Sequence, residues 1–367
     1  MKKIHIIIAI NTILLIGLLT IIINKNSKEY IMQDGVMLAL TLDGEKITEY
    51  PEGTNYEVEI NCENGNGKWL VEEWKLGVEE ITGNVVCNID FTSNPKVLRT
   101  EVESKATTNT NGFRYSGTNP DNYIWFNNEM WRIIGSIPTC LSASCGTNTT
   151  NLVKIIRNQI VGGLSYDLKS SGETGIWGNN TLYTILNTYY YGALDATNKS
   201  GCGGSRVNSS YTECDYRTIG INSNEYYGKM IKNVYWNTGA SSNTKPNLSY
   251  TNEIATRTIS GNVGLMSVSD YGYAANSSYH DTYLSNYNTL EITGTNWLYG
   301  QGYEWTISQY TSNTSQALSI EGSGSSGRIS NGTVDSGYSV RPVVYLDPSV
   351  YIISGDGTEG NPYQIGM

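Results

Sequence analysis

Charge is what this chain has least of. Only 16% of its 367 residues are charged, against about a quarter in an average globular domain. The net charge is −10 and no run of Lys or Arg occurs; without such a phosphate footprint, nucleic acid is excluded as a partner. Histidine occurs only at His5 and His280, and no Cys-x-x-Cys spacing is present. Both points argue against a zinc site, and no metal or other cofactor is expected. Phe occurs three times against 28 Tyr. A Tyr-heavy aromatic set suits a β-rich exported protein, in which each ring packs and each hydroxyl stays wet.

A long apolar run is present, at the start. Lys2 and Lys3 precede Ile6 to Ile23, followed by Asn24, Lys25 and Asn26 rather than a small-x-small cleavage site. The length is close to a membrane span and long for a signal peptide, so the run reads as an uncleaved signal anchor, with a cleaved signal as the alternative. The expected location is the cell membrane, single-pass, with the C-terminal body outside. Asn, Lys and Ile usage points to a low-GC bacterium.

The cysteines are even in number: Cys62, Cys87, Cys140, Cys145, Cys202 and Cys214. Neighbouring pairs share one expected domain or loop, which predicts three local disulfides, Cys62–Cys87, Cys140–Cys145 and Cys202–Cys214.

Behind the anchor (residues 1–25) and a tether (26–33), alternating strands predict a small all-β domain, sandwich or roll, over 34–93. Tyr56, Val58, Ile60 and Cys62 share one strand face; Val85, Cys87, Ile89 and Phe91 share another. Residues 94–111 are polar and read as a linker. A main domain over 112–350 opens with a hairpin turning at Asn127-Asn128. Helical spacing recurs over 181–194, capped by Asn179 or Asn180, and again over 224–234. Short strands follow at 263–267, 305–309, 317–320, 327–333 and 340–346. Pro342 has no N–H to donate and is placed at an edge or bulge. Residues 351–367 read as a closing hairpin.

Four stretches carry a resemblance: NYIWFNNEMWRIIG (122–135), GNVGLMSVSDYGYA (261–274), NWLYG (296–300) and SVRPVVYL (339–346). The main domain resembles the superfamily of C-type lectins, formylglycine-generating-enzyme-like domains and bacterial surface proteins of unassigned function. That likeness implies an α+β fold: a C-type-lectin-like domain with two helices and a short-stranded antiparallel sheet, its first and last strands paired. The chain departs from the enzymes, because its cysteines read as structural. It departs from calcium-dependent lectins, because Asn296-Trp297 lacks the following acid.

Loop-dense positions hold the candidate ligand-binding residues Asp270, Tyr271, Tyr273, Trp297, Tyr299 and Tyr303. Exposed Tyr rings can stack on sugars or form a protein-binding patch, whereas Trp297 and Trp305 also suit a core. No catalytic residue is assigned. His280-Asp281 has no accompanying nucleophile, and the Asp356 to Asn361 stretch reads as a tight turn rather than a calcium loop. The expected function is membrane-anchored adhesion, with a glycan or cell-surface protein as ligand. An exported enzyme with a reactive thiol and a structural envelope component are the alternatives.

Overall fold

Strand takes up 41% of the described residues and helix 15%. This mostly β architecture of many small sheets overturns the expected α+β, lectin-like domain with two helices. The computed structural model describes residues 29–51, 56–70, 73–168, 175–199, 202, 214–239, 244–255, 259–300, 302–324 and 326–367. The chain divides into two units after Pro95.

The first unit contains β1 (Ile31–Gln33), β2 (Val36–Leu42), β3 (Glu45–Ile47), β4 (Tyr56–Glu63), β5 (Asn66–Leu70), β6 (Lys75–Glu79) and β7 (Val86–Ser93). One sheet runs β1-β2-β7-β4 with β3 on β2, and β5–β6 is a separate hairpin. The β2–β7 pair is parallel. Strand β4 alternates half-buried and exposed residue by residue, as its sequence dictates. Its inward face meets Cys87, Ile89 and Phe91, which are at most 1% exposed. Phe91 is ringed by Tyr50, Tyr56, Trp69 and Trp74 with centroids 5.2–6.3 Å away.

The second unit opens where a linker was expected. Lys96–Val97 is strand β8 and Leu98–Lys105 is helix α1. Leu98 and Val102 are buried on one helical face; two apolar residues four apart sufficed to dock an otherwise polar segment. Then follow β9 (Phe113–Arg114), β10 (Tyr123–Phe126), β11 (Glu129–Thr139), β12 (Thr150–Arg157) and β13 (Gly162–Ser165). Helix α2 (Thr181–Thr184) is capped by Asn180, whose side chain accepts from the Tyr183 N–H, and it continues as a π-helix over Ile185–Tyr190. The helix expected over 224–234 is a single turn, α3 (Tyr226–Lys229).

Next come β14 (Val234–Tyr235), α4 (Pro246–Glu253), β15 (Ser260–Gly261), β16 (Val263–Gly264) and α5 (Val268–Ala274). The expected strand 263–267 is thus cut short. Ser267 and Asp270 form a reciprocal capping box that starts α5 instead. The unit closes with α6 (Leu290–Thr293), β17 (Glu304–Gln309), β18 (Gln316–Ser323), β19 (Ser326–Thr333), β20 (Gly337–Val340), β21 (Val343–Tyr345), β22 (Tyr351–Ser354) and β23 (Gln364–Gly366).

Its two larger sheets run β10-β11-β12-β21-β16, with β9 on β11, and β13-β20-β17-β18-β19. Pro342 lies between β20 and β21, which belong to different sheets. A residue without an N–H breaks the ladder there, so the expected single strand 340–346 is two. The opening and closing aromatic segments do meet: Trp125 N–H donates to the Tyr363 carbonyl at 2.9 Å, and Tyr363 N–H to that of Tyr123 at 3.0 Å.

Among the described residues no helix is long and apolar enough to cross a membrane. Residues 1–25, on which the anchor was expected, lie outside the described residues, as do residues 26–28 of the tether, whose Ile31–Gln33 is strand β1. The expected single-pass arrangement is corrected accordingly: no described helix provides a span.

Candidate binding cleft

The candidate aromatics expected in exposed loops are mostly interior. Tyr271, Tyr273 and Trp297 are 0%, 2% and 8% exposed. Tyr271 and Tyr273 lie on α5, every residue of which is buried. The Trp297 indole N–H donates to the Tyr115 carbonyl at 2.9 Å. Tyr299 is half-buried, its hydroxyl within 2.9 Å of the Gly324 carbonyl and 3.1 Å of that of Ser326. Only Tyr303 is exposed, stacked at 5.0 Å on Tyr338, which stacks at 4.4 Å on the buried Trp305. The six residues therefore form no common exposed face. The capping box made a buried helix of what reads as a loop.

Asp270 is likewise interior. Its carboxylate meets Arg114 of β9 and Lys154 of β12, each at 2.5 Å. It also accepts from the Ser267 N–H at 2.8 Å. Burial acts to raise the Asp270 carboxyl, but Lys154 and Arg114 outweigh it and hold it well below the usual carboxylate range. Glu253 of α4 is buried close by, without an ion-pair partner among the described residues: the Ser269 N–H and Ser308 hydroxyl donate to it at 3.0 Å, and the Ser269 hydroxyl at 2.5 Å. Burial pushes its carboxyl up, against those hydrogen bonds. A raised acid favours folding when protonated. Its contribution is full below the ordinary Glu value of about 4.3 and is lost as pH rises through the raised folded value. Glu253→Gln keeps the shape and two acceptor contacts. It is expected to flatten the stability–pH curve above about pH 4.3; urea unfolding at stepped pH checks it, and an unchanged slope refutes it.

His280 and Asp281 do not work as a pair. The His280 Nε2–H faces the carbonyls of Tyr273 and Ala275 at 3.2 and 3.0 Å, whereas Asp281 projects into solvent beside Lys245. Asp356 accepts from the N–H and hydroxyl of Thr358 within a turn closed by Asn361. Among the described residues no cluster of three His, Cys, Asp or Glu could hold a metal. The three disulfides pair as the spacing predicts, and no cysteine is free.

An open site lies elsewhere. The β10–β11 hairpin turns at Asn127 and Asn128, both left-handed with φ of 55° and 60°, the geometry that matches strand twist and that Asn tolerates. The Asn127 side-chain amide donates to the Gly220 carbonyl at 3.1 Å, joining the turn to the 217–222 loop. That loop is held by Gly220 N–H to Tyr216 O (2.7 Å) and Ile221 N–H to Tyr190 O (3.0 Å). A Cβ on Gly220 would meet Tyr190 O, Tyr216 O and Ala193 Cα at 2.6–2.7 Å, so only glycine lets the loop approach.

Between the turn, this loop and α3 is a cleft of about 730 Å³, within the range of about 300–1,000 Å³ usual for small-ligand sites. Its aromatic wall grows out of the core, from Trp131 to Phe126 (5.1 Å), Tyr227 (5.2 Å) and Tyr226 (5.3 Å). Tyr226 is 50% exposed, with its hydroxyl near the Ile365 carbonyl. Glu129 is fixed by a two-pronged pair with Arg157 at 2.7 and 2.6 Å. Arg217 is engaged by Asp215 through both prongs and lies 3.7 Å from Asp195. Asn128 and Thr218 are exposed and their side chains make no hydrogen bond among the described residues.

The Asn127-Asn128 turn and the helical spacing over 224–234 are legible in the sequence. That segments about a hundred residues apart share a cleft is not. No family profile, curated protein or solved structure matches this chain.

Proposed function

We propose that this is an exported binding protein that takes a hydroxyl-rich ligand, a glycan, in the cleft between the Asn127-Asn128 turn and α3. The observation that carries the reading is the cleft's make-up. A half-exposed ring, Tyr226, stands beside the uncommitted amide of Asn128 and hydroxyl of Thr218. A sugar offers an apolar C–H face for the ring and hydroxyls for the amide. Three disulfides fit an oxidising, extracellular setting. The thiol-dependent enzyme reading lacks its thiol, since every cysteine is paired.

The test is calorimetric titration of the full-length chain with a panel of oligosaccharides. Tyr226→Ala is expected to weaken the best ligand at least about tenfold, equivalent to about 1.4 kcal/mol, without lowering the melting temperature. Unchanged affinity in a folded variant counts against this cleft as the site.

A further inference from the structure

We infer that the cleft selects sugars carrying a free amine over neutral ones, and rejects carboxylated or sulfated ones; this rests on the glycan reading above. The argument is the state of each charged group that faces the cleft. Arg217, the cation among the lining residues, is already spent on Asp215 and Asp195. A guanidinium that donates both prongs to one carboxylate and faces a second has no unmet charge for an incoming anion. Glu129 is spent in the other direction, on Arg157, which also donates to the carbonyls of Gln159 and Ile160.

Glu225 is different. It lines the cleft, is exposed, and pairs with no cation among the described residues. Lys229, one turn further along, makes no ion pair with it among the described residues. Glu225 starts α3 without giving that helix a side-chain cap, so its carboxylate has no structural task. It stands in the same cleft as the Tyr226 ring. A ligand stacked on that ring would present its substituents to a free carboxylate on one side and to Asn128 and Thr218 on another. An ammonium group would gain a charge-assisted hydrogen bond there, and an acidic group would meet a like charge. The net charge of −10 adds long-range repulsion of anions.

The experiment titrates the full-length chain with three oligosaccharides of matched length: a glucosamine tetramer, its N-acetylated form and a galacturonate tetramer. The expected order is amine, then neutral, then acid. The amine should bind about fivefold or more tighter than the neutral form, with that ratio shrinking as salt rises. Glu225→Gln should bring the ratio to near one. Asp281→Asn, which removes an exposed carboxylate that does not line the cleft, should leave it as in the parent. Equal binding of amine and neutral forms, tighter binding of the acidic tetramer, or a ratio that survives Glu225→Gln overturns the inference while leaving the glycan reading in place. Binding of none of the three overturns the inference, and silence across the wider panel overturns the glycan reading.

Discussion

Asp270→Asn is expected to lower the stability of the second unit by about 3–5 kcal/mol, the usual loss when one partner of a buried ion pair is removed. The side chains of Arg114 and Lys154 are 2% and 4% exposed, and the carboxylate between them pairs with both. Amide in its place leaves two buried cations facing each other. Burial alone would lower their proton affinities; at present Asp270 outweighs that and raises both. The variant therefore also relieves itself at alkaline pH, where Lys154 sheds its proton. Adding Lys154→Met to Asp270→Asn should restore part of the loss, because one uncompensated charge is gone. Urea unfolding of the three proteins measures this, and a single variant within about 1 kcal/mol of the parent would be far below the usual range for such a pair. The pH dependence has a definite sign. A depressed carboxyl contributes stability above its unfolded value and loses it as pH falls through the folded one. Asp270 thus supports the fold well into acid, opposite to Glu253, whose contribution fades as pH rises.

Breaking Cys62–Cys87 is expected to destabilise the first unit by about 2–5 kcal/mol. The bridge spans a sequence separation of 25, and Cys87 is fully buried. The buried apolar cluster around it is small: Leu38, Leu40, Val85, Ile89 and Phe91. A core of that size leaves little margin without a staple. Cys62→Ser with Cys87→Ser also places a hydroxyl in that core. Hydrogen exchange of the β4 and β7 amides reports the unit by itself. Protection lost there, with β11 and β12 unchanged, is the expected pattern. Protection retained in β4 and β7 would show that packing alone suffices.

Why some features were legible is clear from particular residues. The alternation Tyr56, Val58, Ile60, Cys62 places both cysteines on inward faces, since a strand's side-chain period is two. Asn180 announces α2 by bonding three residues ahead. The Ser267–Asp270 capping box is equally local, but it follows directly on a strand-like run, Val263–Ser267, of which only Val263–Gly264 is strand. Helix α1 is illegible for a different reason: its two buried apolar residues, Leu98 and Val102, are separated by Arg99, Thr100 and Glu101.

What the sequence by itself determined is therefore local: strand faces, disulfide partners and the hairpin turn at Asn127-Asn128. Each depends on residues near in sequence, on side-chain period or backbone φ. What only the tertiary structure decided is the fate of the polar and aromatic residues. Asp270 meets Arg114 across a sequence separation of 156, and a carboxylate with that partner is scaffold rather than site. Tyr226 lines one cleft with the Asn127 turn, about a hundred residues before it in sequence, and becomes its wall. Burial and pairing of such groups depend on which distant strand supplies the neighbour, and desolvation acts only once that neighbour has arrived.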